Sequence, residues 1–308
     1  MRYSLDEIET FLAVMELGTV TAAAARLNLS KSVVSKRIAD FESALGAALF
    51  RRNAGRIAPT DAALRLAAGM RPALAELRAA AEGAAQTMGG PAPLQGTLAI
   101  SAPMSFGILH LGPILARFAE AHPRLDLRID FDDRARDLAR EGFDIAIRIG
   151  DMRDAHLMQR KLCEGRMIAC ASPLYLKRHG TPAVPADLAA HQVIGYSHLP
   201  DARLWQFHGT GRSEAPQVTA RLTLNNGEAM RDMALAGLGL AMLPDFIVAP
   251  ALREGRLLQV LAAHETRILP IHAVWPPISP IPVKLRALIE HLAAALAGGR
   301  PWNQPDKA

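Results

Sequence analysis

Apolar residues recur at helical spacing through the first part of the chain, where proline and glycine are sparse. One apolar face extends over about residues 5–17 and ends at Gly18. A second helical stretch follows Thr19 and ends at Asn28, a residue that adopts a left-handed turn readily. A third begins after Ser30, whose hydroxyl suits a helix N-cap. The pattern therefore predicts three short helices, and the buried face of the third consists of Val33, Val34, Ile38, Phe41 and Leu45.

The second and third predicted helices are separated only by a short turn at residues 28–30. Two helices joined by a turn of about three or four residues are typical of a helix-turn-helix unit. Farther on, residues 51–57 place the turn-forming sequence Asn-Ala-Gly between two short segments, each of which carries an arginine. This pattern predicts a basic β-hairpin, the wing of a winged helix-turn-helix domain.

A long helix is predicted from Thr60 to about residue 88, because apolar residues follow one another there in alternating steps of four and three. This spacing is that of a coiled-coil seam, and it favours pairing of two chains, mainly through Met70, Leu74 and Leu77. Packing of the helix on its own chain would give a similar stripe. Pro72 is expected to kink the helix. The seam consists of Ala63, Ala67, Met70, Leu74, Leu77, Ala81, Ala84 and Met88.

Beyond a glycine- and proline-rich linker at 89–93, predicted strands and helices alternate, which is typical of an α/β domain. Two groups of elements form two lobes that are crossed by two connections, and small ligands bind in the cleft of such a domain. The predicted strands are 94–101, 125–131, 144–149, 165–171, 192–196, 218–224, 238–242 and 268–275. The predicted helices are 104–121, 134–141, 227–236 and 282–297.

Length and composition agree with a folded protein of several domains. The 308 residues are 50% hydrophobic and 21% charged, which is enough apolar material for cores and unlike a disordered chain. We assign residues 1–60 to the winged helix-turn-helix, 61–90 to the linker and dimerisation helix, and 91–308 to the α/β domain. Lobe I covers about 91–163 and 267–297, and lobe II covers about 164–266.

No membrane partner is expected from the sequence. The longest stretch without a charged side chain, residues 83–116, contains four prolines, which a lipid-exposed helix does not tolerate. The first residues lack the apolar core of a secretory signal. We therefore expect a cytoplasmic protein.

Cys163 and Cys170 are the two cysteines of the chain. Their separation of seven places them on opposite faces if both lie on one strand, so a disulfide is not expected. Arg166 is the one basic residue close to them in sequence between the two thiols. Buried structural thiols are therefore favoured over a redox sensor.

Positive charge is concentrated around the third predicted helix. The chain has a formal net charge of +5, and residues 26–56 hold seven basic and two acidic side chains. Residues 1–16 instead hold four acidic side chains and one basic side chain. A solvated charged face would explain any single residue, but a basic helix after a tight turn favours contact with a polyanion.

Several blocks of sequence resemble the LysR-type transcriptional regulators. The N-terminal blocks are LDEIETF at 5–11, TAAA at 21–24, SKSVVSKRI at 30–38 and LG followed by LF and an arginine at 45–52. Three further blocks resemble the effector-binding domain of that family. They are GFDIAIRIG at 142–150, ASP with YL at 171–176, and AGLGLA with LP at 236–244.

The resemblance implies an α/β protein with an N-terminal winged helix-turn-helix, a long linker helix and a two-lobed effector-binding domain like that of periplasmic solute-binding proteins. It also implies a sequence-specific regulator that binds double-stranded DNA, forms homodimers and homotetramers, and responds to a small-molecule effector. The chain has Lys31, Val33 and Lys36 where the family more often has Gln, Pro or Ala, and Arg. Lysine only donates hydrogen bonds, whereas glutamine reads adenine bidentately.

We predict that the third helix enters a major groove and that the hairpin arginines contact the DNA backbone or the minor groove. For the serines of this helix, exposed polar positions without a role in binding are the alternative. The predicted DNA-binding residues are Ser30, Lys31, Ser32, Ser35, Lys36, Arg37, Arg52 and Arg56.

Ligands of open α/β sheets lie beyond the carboxyl ends of the strands, where helix starts offer N–H groups. The sequence provides hydroxyl, amide and guanidinium groups there, which suit a small organic acid. Alternatively, Arg148 pairs with Asp130 or Asp151, and Asn226 only caps its helix. The predicted effector-binding residues are Ser101, Met104, Arg148, Tyr196, Asn225, Asn226 and Phe246.

An enzyme and a transport-type solute receptor are the competing classes. The sequence contains no P-loop, no HExxH and no cysteine–histidine pair with metal spacing. The segment that contains Gly237 and Gly239 lacks the third glycine of a dinucleotide-binding loop. We therefore expect no catalytic residue, no metal and no cofactor, and the basic N-terminal domain argues against a solute receptor.

Overall fold

The structure is a computed structural model that describes residues 3–53, 56–89, 93–134, 136–152, 154, 156–200, 204–208, 213–298 and 302. The chain forms two compact units. The first unit consists of Met1–Leu94, Arg136–Asp144 and Pro276–Arg286. The second consists of Gln95–Ala135, Ile145–Trp275 and Ala287–Ala308.

Three helices open the first unit at the positions that the sequence pattern predicts. They are α1 (Leu5–Leu17), α2 (Val20–Leu27) and α3 (Lys31–Leu45). Gly18 ends α1 and Asn28 ends α2, both in the left-handed conformation with φ of 68° and 54°. Ser30 caps α3, because its Oγ accepts a hydrogen bond from Val33 N at 3.3 Å. The prediction of a helix-turn-helix is confirmed.

Aromatic rings form the centre of the first core. The ring centroid of Phe11 in α1 lies 5.5 Å from that of Phe41 in α3 and 5.9 Å from that of Phe50. Val34 and Ile38 of α3 are buried in the same cluster, as predicted. This stripe of α3 therefore fixes which side of the helix faces the rest of the domain.

Val33 does not belong to this core, which corrects the prediction from sequence. Its side chain is 38% exposed, whereas Val34 is fully buried. Successive residues of an α-helix lie about 100° apart around the axis, so a helix that buries Val34 and Ile38 turns Val33 to its flank. Apolar character alone does not distinguish two adjacent valines.

A hairpin follows, as predicted. Strand β1 (Phe50–Asn53) pairs antiparallel with β2 (Arg56–Pro59). Glu42 of α3 fixes the entry to the hairpin, because its Oε1 accepts hydrogen bonds from Leu49 N at 2.6 Å and from Phe50 N at 3.0 Å. Residues 54 and 55 of the predicted turn lie outside the described residues.

The long helix α4 (Asp61–Gly89) follows the hairpin and continues through Pro72. Thr60 caps it, because Thr60 Oγ1 accepts a hydrogen bond from Ala63 N at 3.2 Å. The prediction that the whole apolar seam faces a second chain is wrong for the N-terminal half of α4. The seam residues that pack in the core of the first unit are Ala63, Ala67, Met70 and Leu74.

This packing follows from the shape of the domain, because three short helices and a hairpin leave one side of their core open for α4 to close. Two predicted dimer residues, Met70 and Leu74, therefore have neighbours in their own chain, and Leu74 is only 9% exposed. Leu77, the third, is 54% exposed. The side chains of Ala84 and Met88 lie outside the described residues.

Strands and helices alternate from residue 95 onward, as predicted. In chain order they are β3 (Gly96–Ala102), α5 (Met104–Phe106), a π-helix (Gly107–Leu111), α6 (Gly112–Ala121), β4 (Leu125–Phe131), α7 (Leu138–Glu141), β5 (Ile145–Ile149), β6 (Met158–Ala171), α8 (Pro173–His179), a 3-10 helix (Pro185–Ala190), β7 (Val193–Tyr196), β8 (Phe207–His208), β9 (Ser213–Glu214), β10 (Ala220–Leu224), α9 (Gly227–Leu235), β11 (Leu240–Pro244), α10 (Asp245–Arg253), β12 (Leu258–Gln259), β13 (Glu265–Thr266), β14 (Ile268–Trp275) and α11 (Val283–Ala295).

Two groups of strands in the second unit share the long strand β6. The order across the sheet is β10-β7-β11-β6-β14-β5-β3-β4, and β12 also pairs with β6. β14 pairs with residues 158–166 of β6, and β11 pairs with residues 167–170. We define lobe I as β4, β3, β5, β14 and the first part of β6, and lobe II as the remainder of β6 with β11, β7 and β10. The predicted lobe boundary at 163–164 falls inside β6.

The helix predicted at 134–141 is limited to α7, which Asp137 caps by accepting a hydrogen bond from Arg140 N at 3.1 Å. α7 belongs to the first unit, where Arg71 Nη1 of α4 donates to Arg140 O at 2.9 Å. Gly142 ends α7 with φ of 78°, and a Cβ at this position would lie 2.5 Å from Arg71 Nη1. The left-handed backbone conformation therefore favours glycine at this position, and the Arg71 side chain fills the space that a Cβ would occupy.

The sequence pattern does not predict α8, the 3-10 helix or α10. Pro173 and Pro185 stand at the starts of the first two, a position that suits proline. α10 buries most of its residues, including Asp245 and Phe246, and so lacks the one-sided apolar stripe of a surface helix. None of the helices in the described part of the chain is long and apolar enough to cross a membrane.

Candidate functional site

The outward face of α3 carries polar and basic side chains. Lys31, Ser32 and Lys36 are exposed, and Ser35 is half-buried. The Oγ of Ser30, which caps the helix, also shares a hydrogen bond of 2.8 Å with Ser32 Oγ. Two ammonium groups and several hydroxyls thus surround the positive end of the helix dipole, a surface that suits phosphates and base edges.

Arg37 has a different role from the one predicted. Its Nη2 donates to Asp6 Oδ2 at 2.5 Å, and its Nη1 donates to Thr10 Oγ1 at 3.4 Å. Both acceptors lie in α1, so the guanidinium group holds α3 against α1 and points away from the exposed face. We therefore remove Arg37 from the candidate DNA contacts.

The wing adds basic residues beside α3. Arg52 pairs through its backbone with Ile57, and Arg56 pairs with Asn53. The side chains of Arg52 and Arg56 lie outside the described residues, so their contacts with DNA stay a prediction. Arg51 is exposed at the start of the same hairpin.

Alanine substitutions at Lys36 and Arg37 separate these two roles. We expect Lys36→Ala to weaken binding to a DNA duplex by about three- to tenfold and to reduce the salt dependence of log K by about one, because one phosphate-directed charge is lost. Arg37→Ala should lower the thermal stability of the first unit and leave the salt dependence unchanged. Titrations at several salt concentrations with a duplex selected from a random pool measure both. An unchanged salt dependence for Lys36→Ala would contradict the assignment.

We use the term cleft for the place in the second unit where residues that follow or end strands of the two lobes come together. Asp133 follows β4 in lobe I, and its Oδ1 accepts a hydrogen bond from Met104 N at 2.9 Å. Tyr196 ends β7 in lobe II. Burial, the charge of Asp133 and a hydrogen bond to that carboxylate raise the pKa of Tyr196 above its ordinary value. Asp133 thus links α5 to the other lobe.

A second contact between the lobes lies one residue farther along α5. Ser105 Oγ donates a hydrogen bond to Glu228 Oε2 of α9. Asn226 Nδ2 donates to the same oxygen at 3.1 Å, and Asn226 Oδ1 accepts from Ala229 N at 2.8 Å. A Cβ at Gly227 would lie 2.5 Å from Ile247 Cδ1 and 3.3 Å from Ser105 Oγ, so glycine permits the close packing here mainly against Ile247. Asn226 therefore caps α9, and its contact with an effector stays a prediction.

Ser101 lies near the end of β3, close in sequence to both contacts. Its side chain is 0% exposed, and its Oγ has no hydrogen-bond partner among the described residues. An unsatisfied buried hydroxyl costs about 1–3 kcal/mol. A hydrogen bond from a ligand to Ser101 Oγ would therefore contribute more binding free energy than a hydrogen bond to a group that already has a partner.

Phe246 is buried in an aromatic cluster, and its contact with an effector stays a prediction. Its side chain is 4% exposed. Its ring centroid lies 5.4 Å from that of Phe106, 5.9 Å from that of His110 and 5.6 Å from that of Trp302. His110 Nε2 also lies 3.0 Å from Phe246 O, and burial lowers the pKa of His110, which favours the neutral ring. This cluster packs α10 against the helical segment that follows β3.

Arg148 and Asn225 stay candidates for effector binding. Arg148 lies in β5 opposite His272 of β14. Asp151, one of the carboxylates considered as its partner, accepts a hydrogen bond from Arg267 Nη2 at 2.8 Å. Asn225 is exposed immediately after β10.

The sequence interpretation omits three residues that the structure brings to the cleft, namely Ser105, Asp133 and Glu228. A signal for them exists, because Asp133 follows the end of a predicted strand and the other two stand in the first turns of predicted helices. Their partners are more than 25 residues away in sequence, as in the separations of 29 for Met104–Asp133 and 123 for Ser105–Glu228. Such pairings come only from the fold.

Both cysteines are buried free thiols, as expected. Burial raises the pKa of Cys170 to about 12, and burial with the charges of Asp245 and Glu164 raises that of Cys163 to about 12. We expect iodoacetamide at neutral pH to label neither thiol in the folded chain and both in denaturant, because the thiolate is the reactive form. Mass spectrometry of the digested protein measures this. Rapid labelling of either thiol in the folded chain would contradict the burial argument.

Comparison with known proteins matches both parts of the chain. The family model for the LysR substrate binding domain matches residues 91–297, and that for the bacterial regulatory helix-turn-helix protein, lysR family, matches residues 5–64. An uncharacterized HTH-type transcriptional regulator of Haemophilus influenzae is 33% identical over 92% of this chain and 98% of its own. The HTH-type transcriptional regulator PtxR of Pseudomonas aeruginosa is 34% identical over 97% and 95%. The full-length Vibrio cholerae virulence activator AphB superimposes with a TM-score of 0.60 at 25% identity, covering 94% of this chain and 99% of that chain.

Proposed function

The chain belongs to the LysR-type transcriptional regulators, and from this premise we propose that α3 reads the major groove of an operator while the cleft of the second unit binds the controlling molecule. The protein is a DNA-binding regulator with an effector-binding domain, and its relatives are regulators and not enzymes. Members of the family bind DNA and small effectors and form oligomers. The exposed basic face of α3 is the observation that carries the proposal for DNA.

On DNA, the N-terminal end of α3 lies in the groove. Lys31, Ser32, Ser35 and Lys36 face phosphates and base edges, because the buried stripe of Val34, Ile38 and Phe41 leaves this side of the helix outermost. Arg52 and Arg56 of the wing contact the backbone or the adjacent minor groove. Ser30 stays in the helix cap and contributes mainly by fixing the first turn.

Dimerisation uses the C-terminal half of α4. Residues 61–90 form the linker helix of the proposed domain division, between the DNA-binding domain at 1–60 and the effector-binding domain at 91–308. Leu77 is supported as a dimer contact by its exposure, whereas Leu74 is occupied in its own core. Two chains paired in this way bind DNA half-sites that are related by a twofold axis, and pairs of dimers form the tetramer.

Sedimentation of Leu77→Asp tests this surface. We expect the variant to keep the first unit folded and to lose the dimer, because a carboxylate replaces an exposed apolar contact. Leu74→Asp should instead destabilise the first unit by about 2–5 kcal/mol, because its side chain lies in the core. Leu174→Asp, at an exposed leucine of lobe II, is the matched control for an added surface charge. A dimer of unchanged strength in Leu77→Asp would exclude this residue from the interface.

The effector is a small organic acid that also carries hydrogen-bond donors. Its acidic group suits Ser101 Oγ, the guanidinium of Arg148 and the N–H of Met104, and at Met104 it competes with Asp133. Its donor groups face the carboxylates of Asp133 and Glu228. Binding at this point changes the two contacts that join the lobes, so ligand occupancy is coupled to lobe arrangement.

A thermal-shift screen of aliphatic and aromatic carboxylic and hydroxycarboxylic acids tests the cleft. A ligand at about 100 times its Kd stabilises the folded state by about 2.7 kcal/mol and raises Tm. We expect Tyr196→Phe and Ser101→Ala to weaken the Kd of a hit by about three- to tenfold, because each removes one hydrogen-bonding group. Tyr175→Phe, which removes a buried hydroxyl bonded to Gln192 N in lobe II, should leave the Kd unchanged. Equal binding by all variants would place the hit elsewhere.

A further inference from the structure

A cavity of about 150 Å³ lies between strand β6 and helix α10, and none of its lining residues takes part in the two contacts that join the lobes. Arg166 and Ile168 reach it from one face of β6, because side chains alternate along a strand. Asp245, Ala249 and Leu252 reach it from one side of α10, because positions i, i+4 and i+7 of a helix share a face. The regular geometry of the two elements therefore builds two facing walls.

The middle of the cavity is apolar. Ile168 and Ala249 are buried there, and Leu252 is half-buried. An engineered cavity of about 150 Å³ in another protein binds benzene, so a cavity of this size holds an apolar body of about six carbon atoms. The walls therefore suit a short aliphatic chain.

The two ends of the cavity carry opposite charges. Asp245 is buried and forms the inner end, whereas the mouth consists of exposed residues, namely Arg166, Arg253 and Gln259. A Cβ at Gly165 would lie 2.8 Å from Asp245 Oδ1, so the glycine leaves room for the carboxylate beside β6. A buried carboxylate is stabilised by a cation or a hydrogen-bond donor, and guanidinium groups bind carboxylates bidentately.

Arg253 is held in place before a ligand arrives. Its Nη1 donates a hydrogen bond to Trp302 O at 2.7 Å. Trp302 is itself buried, and its ring centroid lies 5.2 Å from that of His110 and 5.6 Å from that of Phe246. A guanidinium group has five N–H donors, so the hydrogen bond to Trp302 leaves others for a ligand. A side chain that is already fixed loses less conformational entropy when the ligand binds.

We propose that this cavity is a second ligand site of the chain and that its ligand is a small aliphatic amino acid. The ammonium group of the ligand lies against Asp245, its carboxylate contacts the guanidinium groups of Arg166 and Arg253, and its alkyl part packs on the apolar walls. A carboxylic acid without an amino group brings no cation to the carboxylate of Asp245. An amine without a carboxylate brings a positive charge beside two arginines. The charges of the cavity therefore select a zwitterion.

Isothermal titration calorimetry of the full chain tests the class of ligand. The probes are L-valine and 4-aminobutyrate, and we expect at least one of them to bind with a Kd of about 1 mM or below. Analogues that lack one charged group isolate each end of the probe. They are 3-methylbutanoate and 2-methylpropylamine for L-valine, and butanoate and propylamine for 4-aminobutyrate. We expect each analogue to bind about tenfold more weakly than its parent compound, because a charge-assisted hydrogen bond is lost.

Substitutions at the mouth locate the site. We expect Arg166→Gln to weaken the Kd of the bound amino acid by about three- to tenfold, because a charged donor is lost, and Gln259→Glu to weaken it similarly by repelling the carboxylate. Both residues are exposed, so both variants should keep the fold. Arg256→Gln, at an exposed arginine that does not line the cavity, is the matched control and should leave the Kd unchanged. Ser101→Ala and Tyr196→Phe should also leave it unchanged, because they alter only the cleft.

Three results would overturn the inference. If neither amino acid binds that tightly, the cavity is not an amino-acid site. If the analogues bind as tightly as their parent compounds, the charges at the two ends do not select the ligand. If Arg166→Gln and Gln259→Glu bind the amino acid as tightly as the unaltered chain, the ligand lies elsewhere. Weaker binding by Tyr196→Phe would then place it in the cleft, so that the second site is wrong while the proposed effector site stands.

Discussion

The first N–H groups of an α-helix have no acceptor within the helix, so each helix start in a folded chain must find one elsewhere. In this protein Ser30 provides it for α3, Asp133 for Met104 at the start of α5, and Asn226 for α9. All three side chains lie in the two surfaces assigned to function. The need to complete these helix starts therefore decides which polar groups stay available for DNA and for an effector.

In the cleft, the start of α5 already has a carboxylate as its acceptor, and this makes the position unfavourable for a simple anion. A carboxylate that approaches Met104 N meets Asp133, which already accepts from that N–H and also bonds to Tyr196 of the other lobe. Glu228 is held in the same way by Ser105 and Asn226. A ligand that displaces or reinforces these carboxylates acts directly on the contacts between the lobes. This gives the effector a physical means of shifting the arrangement of the second unit.

The linker helix α4 packs in the core of the first unit and also presents an exposed apolar residue. The spacing of apolar residues along the helix does not distinguish these two roles. Its first turns close the core of the first unit through Ala63, Ala67 and Leu74, and only farther along does Leu77 become exposed. The helix is thus rigidly part of the DNA-binding domain where it begins. A second chain that paired at Leu77 would leave that core intact and would be joined to α3 through continuous helix.

The sequence by itself determined the local elements and the family. Helix ends at Gly18 and Asn28 and the cap at Ser30 depend on residues adjacent in the chain, and these were predicted correctly. The motif blocks that indicated a LysR-type regulator are local as well. Alternating apolar patterns also located most strands, because their side chains repeat every second residue.

Only the tertiary structure decided which side chains of those elements are free to act. Val33 and Val34 are identical in sequence terms, yet packing against α1 buries one and exposes the other. Arg37 looked like a DNA contact until Asp6, 31 residues away, was placed beside it. Phe246 packs in a cluster with Trp302, and Asp133 lies in the cleft beside Met104. These outcomes depend on partners distant in sequence, and a periodic pattern records the face of an element but not what packs against it.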